Sequence, residues 1–152
     1  MRMLLTVGCL VLSAAGSLAA QNDEQAVRAA VQQLFDGMRS RDTAKMRAVL
    51  HPEARLVSTG IRDGAPVVRL VPMARFLESV AGSTGGVLDE RLWNTTVQVE
   101  AGLATVWTGY TLFVGDRMSH CGIDAFHLVK TPSGWQIIDL ADTRRTEGCP
   151  PS

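Results

Sequence analysis

ATVWTGYTLFVGDRMSHCGIDAFHLVKTPSGWQIIDLADTRR, Ala104 to Arg145, reads as three consecutive antiparallel strands. Most of the side chains able to do chemistry lie in it. Ala104–Val114 is rich in β-branched and aromatic residues and stops at Gly115-Asp116, a turn pair. Met118–Lys130 stops at Thr131-Pro132-Ser133-Gly134, and Trp135–Asp142 returns. A tight loop at Gly115-Asp116 sets Val114 opposite Arg117. That register brings Trp107 to Asp124, Thr111 to His120 and Thr105 to Phe126. Alternation then places His120, Gly122, Asp124, Phe126 and Leu128 on one face. Val106, Tyr110, Leu112, Cys121, Ile123, Ala125, His127 and Val129 take the other, greasier face. The same reckoning across the second hairpin sets Asp139 beside Phe126; a slip of one residue turns it outward.

A chain of 152 residues, 46% hydrophobic and 20% charged, suits one domain with a real core and neither disorder nor several membrane spans. Its 15 basic residues balance its 15 acidic ones. Nucleic acid is therefore not expected as a partner, since phosphate binding needs a basic surplus. Gly82-Ser83-Thr84-Gly85-Gly86 lacks the Gly-Lys-Ser/Thr ending of a phosphate loop and reads as a flexible loop. No cofactor is expected. Three scattered histidines and no close acidic pair offer no metal site either.

The N-terminus has the grammar of an export signal. Arg2 is a short positive region, Leu4–Leu12 an apolar run, and Ser13–Ala20 a stretch of small residues before polar Gln21. About a dozen apolar residues are too few to span a bilayer. Residues 1–20 are thus expected to be cleaved, leaving residues 21–152 as a single domain in the periplasm or outside the cell. Removing Arg2 leaves fourteen basic against fifteen acidic residues, a charge of about −1. Cys9 lies too early for a lipoprotein signal. Cys121 and Cys149 remain, and an even pair in an exported chain suggests one disulfide. The loop at Thr131–Gly134 returns the chain toward Cys121, and Cys149 follows a few residues later. Zinc held by these thiols and a histidine lacks the usual spacing.

Upstream, Val27, Ala30, Val31, Leu34, Phe35 and Met38 recur at helical spacing and predict a helix over Asn22–Ser40. Asp42 caps a second helix over Thr43–Leu50, which must end before Pro52. Ala54–Gly60 and Pro66–Val71 form a hairpin, and Pro72 opens a third helix over Met73–Ala81. Asp89–Ala101 is a strand that turns at Gly102 into the opening stretch. Helices segregated against an antiparallel sheet make an α+β domain with a pocket between the two layers.

With His51-Pro52-Glu53-Ala54 entering the first strand, this order of elements resembles the nuclear transport factor 2-like superfamily. Val106-Trp107, Tyr110, His120-Cys121-Gly122, Asp124-Ala125-Phe126, Gly134-Trp135-Gln136-Ile137 and Asp142-Thr143-Arg144 are similar to its exported bacterial members, in the SnoaL-like and lumazine-binding branches. The resemblance implies a cone-shaped curved antiparallel sheet packed on three helices around a pocket. It covers the whole mature chain. Superfamily enzymes include ketosteroid isomerase, which uses a tyrosine and aspartates, and scytalone dehydratase, which relies on histidine and aspartate. The fold also hosts carriers and interaction modules, so it implies no activity by itself.

The candidate chemistry centres on Asp124 as general base with His120 as its helper. The two lie four residues apart, roughly 13 Å along a strand. Trp107, Phe126, Thr111, Asp139 and Arg144 are the candidate ligand contacts. The competing reading makes Asp124 a buried acid paired with Arg144 or Arg145. The expected function is binding of a small organic molecule. The alternatives are a cofactor-independent isomerase, dehydratase or hydrolase using Asp124 and His120, and a homodimeric interaction module working through an exposed sheet face.

Overall fold

The computed structural model describes residues 14–150; the apolar run expected to direct export lies outside the described residues. Helix α1 spans Ala14–Ser40, beginning upstream of the expected Asn22, and buries Val27, Val31, Leu34, Phe35 and Met38. Asp23 lies within this helix. Its carboxylate takes Lys130 Nζ at 2.7 Å and Trp135 Nε1 at 3.1 Å, tying the helix to the sheet. Arg41 adopts a left-handed backbone (φ 57°) that breaks the helix, and Asp42 accepts the Lys45 N–H at 2.9 Å. Helix α2 covers only Thr43–Arg47, because the chain from Leu50 onward is already strand. After β1 (Leu50–Arg62) and β2 (Ala65–Val71), α3 (Met73–Ala81) buries Leu77 and Val80. Strands β3 (Leu88–Glu100), β4 (Leu103–Val114), β5 (Arg117–Thr131) and β6 (Gly134–Thr143) complete the chain. No helix of the described residues is long and apolar enough to cross a membrane.

The six strands form one sheet in the order β2-β1-β6-β5-β4-β3. The meander β3 to β6 is antiparallel, as expected. β1 docks parallel to β6, so the curved sheet is mixed rather than wholly antiparallel. Three helices pack on its concave side, where Phe35 meets Phe126 edge-on at 6.0 Å between ring centres.

Three irregularities decide which side chains face the helices. Between the pairs Phe113–Met118 and Leu112–His120, Ser119 is an extra residue in β5. Beyond this bulge, Tyr110 stands opposite Gly122, Thr108 opposite Asp124, and Val106 opposite Phe126. A shift of one residue exchanges the faces of a strand. Trp107 therefore pairs with Ala125 on the convex face and is 58% exposed. Thr111 pairs with Cys121 on that face, where its hydroxyl accepts the Trp93 indole N–H at 3.3 Å. Tyr110 joins Asp124 instead of opposing it. Ile138 plays the same part in β6, setting Asp139 opposite exposed His127 rather than Phe126. Asp139 lies outside the cone, 3.3 Å from Arg55 and 3.5 Å from His127. In β3, Asn94 and Thr95 together face Thr108, with Asn94 at a positive φ of 52°.

Candidate functional site

The helices cover the bent sheet but do not fill the space beneath, leaving a cavity of about 570 Å³. Its apolar lining comes from Leu34, Phe35, Met38, Phe76, Val80 and Leu140. Its polar wall comes from successive sheet rows. Asp124, Asp142, Ser58 and Arg69 stand side by side across β5, β6, β1 and β2. Two rows along are Glu90, Leu112 and His120, with Leu92, Tyr110 and Gly122 between. Gly122 has a steric reason. A Cβ there would collide with the Thr143 carbonyl and the Tyr110 ring. With hydrogen in its place, the Tyr110 hydroxyl reaches the Thr143 carbonyl and donates to it at 2.9 Å.

Asp124 is 3% exposed and forms no ion pair with Arg144 or Arg145 among the described residues. The Glu90 carboxyl acts on it instead, from the same lining. Burial drives its pKa well above the ordinary carboxylate range, and the charges of Glu90 and Asp142 push the same way. Burial likewise lifts Glu90 to about 7. Asp124 opposes the rise at Glu90 while Glu90 adds to the rise at Asp124, so of the two Asp124 is the more firmly protonated. Asp142 is raised by burial; a Ser58 hydrogen bond and the charges of Arg144 and Arg69 oppose this. Asp124 Oδ2 and Asp142 Oδ1 are both buried with no hydrogen-bond partner.

His120 is 7% exposed, and burial, followed by the charge of Arg144, lowers its pKa to about 4. It is a neutral imidazole at physiological pH. Its Nδ1 lies 2.9 Å from the Ser119 hydroxyl, and its ring meets Tyr110 edge-on at 5.7 Å. The Tyr110 hydroxyl is held protonated, raised by burial and then by Asp142, Asp124 and Glu90.

Among the residues singled out from sequence, Asp124, His120 and Arg144 line this cavity. Phe126 packs in the core against α1, outside the lining. Trp107, Thr111 and Asp139 face away. Cys121 and Cys149 are joined in a disulfide behind β5. Sequence reasoning passed over Glu90, Ser58 and Arg69, put Tyr110 on the opposite face, and left Asp142 out of the site. Glu90 had left a signal: it interrupts the apolar alternation Leu88, Leu92. No cluster of the described residues is arranged to hold a metal ion.

A sequence profile of the family described as "Putative lumazine-binding" matches residues 22–140. Solved structures share the architecture. A nuclear transport factor 2-like protein from Novosphingobium aromaticivorans superposes with a TM-score of 0.72 at 16% identity, covering 91% of this chain and 92% of that one. A protein of unknown function with the same fold, from Pseudomonas putida, reaches 0.67 at 16% identity over 86% and 98%. A Streptomyces avermitilis protein described as a "putative dehydratase" reaches 0.61 at 16% identity over 83% and 98%. No curated protein matches the chain.

Proposed function

Because the chain belongs to the family described as "Putative lumazine-binding", with a nuclear transport factor 2-like fold, we propose that it is an exported domain that binds a small organic molecule in its cavity. One observation carries this reading. A cavity of about 570 Å³ holds two buried carboxylate oxygens, Asp124 Oδ2 and Asp142 Oδ1, that lack partners. Pockets of roughly 300–1,000 Å³ with apolar walls and a few converging polar groups suit small ligands. A buried acceptor without a donor costs roughly 1–3 kcal/mol, which a ligand O–H or N–H would relieve. Native mass spectrometry of the protein purified from its own host tests this. The expected result is a retained small molecule that is lost in Asp124→Asn. A bare protein whose melting temperature responds to no member of a metabolite library would overturn the reading. Sequencing the N-terminus of the same sample tests export, with Ala20 or Gln21 expected as the first residue.

A second reading, proton-transfer catalysis of the isomerase or dehydratase kind, is favoured by the Glu90–Asp124 pair. A carboxyl whose pKa approaches neutrality is matched to taking and returning a proton at physiological pH. Neutral His120, on the same wall, is placed to donate a hydrogen bond to a developing oxyanion. No cofactor enters this scheme. Turnover that vanishes in Asp124→Asn while binding persists would establish it; unchanged turnover in that variant would dismiss it.

Self-association through the convex face accompanies either reading. Val57, Ala141, Ala125 and Trp107 form one row there, with exposed Trp107 at the rim and the alanines beside it. A two-fold axis over the alanines would seat each Trp107 on the small residues of the other copy.

A further inference from the structure

We infer that the molecule taken by the cavity carries one anionic group, received at the mouth by the guanidinium groups of Arg69 and Arg144. This rests on the small-molecule reading and names the class of ligand. Both arginines line the cavity, one from the edge strand β2 and the other from the segment just after β6. Both act on Asp142 through charge alone. Neither has a carboxylate within ion-pair distance among the described residues, whereas Arg75, at the same mouth, is engaged by Glu78 at 3.3 Å.

The charge balance favours an anion over a cation. Burial works against ionisation at Glu90, Asp124 and Asp142 alike, so these carboxyls give the site less negative charge than their number suggests. Against them the same lining carries the guanidinium groups of Arg69 and Arg144. A cation would find Asp142 as its counter-charge only where Arg69 and Arg144 already act on that carboxyl. A carboxylate or sulfonate needs only the two forks already present.

The backbone at Arg144 is also fixed in place. Thr143 before it receives the Tyr110 hydroxyl on its carbonyl and binds the Ile123 N–H through its own hydroxyl, both at 2.9 Å. Arg145 after it exchanges two backbone hydrogen bonds with Cys121, each 2.9 Å, and the Cys121–Cys149 disulfide anchors the tail beyond. A backbone held between two such anchors keeps the base of this side chain at the cavity, which lowers part of the entropy cost of binding.

Two fluorescent probes of similar apolar bulk separate charge from burial: anionic 8-anilinonaphthalene-1-sulfonate and neutral N-phenyl-1-naphthylamine. Mutual displacement shows that they share one site. In Arg144→Gln and in Arg69→Gln the anionic probe is expected to bind roughly tenfold more weakly, with the neutral probe unchanged. Arg144→Lys, which keeps the charge, should recover part of the loss. Equal affinity of the anionic probe in wild type and both Gln variants would overturn the inference and leave the small-molecule reading standing. A parallel loss of both probes would also overturn it, by making the arginines supports of the cavity wall. If neither probe enters the wild-type protein, the small-molecule reading itself falls, and this inference with it.

Discussion

At the scale of single residues, the site is governed by what burial does to charge. Asp124 has a folded-state pKa raised above its unfolded value. Its contribution to stability is therefore complete below about pH 4 and is lost as pH rises. Asp124→Asn keeps the shape and removes the titration. It should match wild type near pH 4 and melt several degrees higher at pH 8, by differential scanning calorimetry. Wild type melting higher at pH 8 would show that Asp124 is paired as an ion. His120 runs the other way. Its pKa is depressed to about 4, so its contribution is present above the unfolded value near 6.5 and is lost as pH falls through 4. His120→Gln should remove the part of the melting-temperature decline between pH 6.5 and pH 4 that this histidine causes. Both residues stood out in the sequence, because an acid and an imidazole share one alternating face. Glu90 did not, since its partner lies two strands away.

At the scale of elements, β-bulges settle the site. Strand existence and turn positions were legible from Gly115-Asp116 and Thr131–Gly134, which are local signals. The extra residue at Ser119 carries no such signal, yet it sends Trp107 outward and brings Tyr110 in beside Asp124. The identity of Gly122 follows from that register, because the tyrosine ring lies against it. Gly122→Ala should cost roughly 1–3 kcal/mol in urea unfolding, the usual range for overpacking a filled space. Tyr110→Phe, which strips the donor from the Thr143 carbonyl, should cost about 1–2 kcal/mol by the same measurement. An unaffected Gly122→Ala protein would mean that the bulge sits elsewhere and that Tyr110 does not face the cavity.

At the scale of the whole molecule, two long-range features remain to be tested. The Cys121–Cys149 disulfide spans 28 residues of sequence, for which the chain-entropy estimate is about 3.5 kcal/mol. Urea unfolding with and without dithiothreitol should show a loss of that order. The convex row predicts a dimer by multi-angle light scattering that Trp107→Glu converts to monomer; a wild-type protein monomeric at high concentration would count against self-association. Amphipathic spacing in α1, the capping Asp42 and the turn pairs were enough by themselves to determine the α+β architecture and the meander, and the two cysteines beyond the expected export signal pointed to the disulfide. Each depends on neighbours in the chain or on simple parity. The parallel docking of β1 on β6, the bulged registers and the meeting of Glu90 with Asp124 and Asp142 came only with the tertiary structure. Side-chain alternation has a period of two residues, so one unpaired residue reverses a face while leaving composition and hydrophobic pattern almost unchanged.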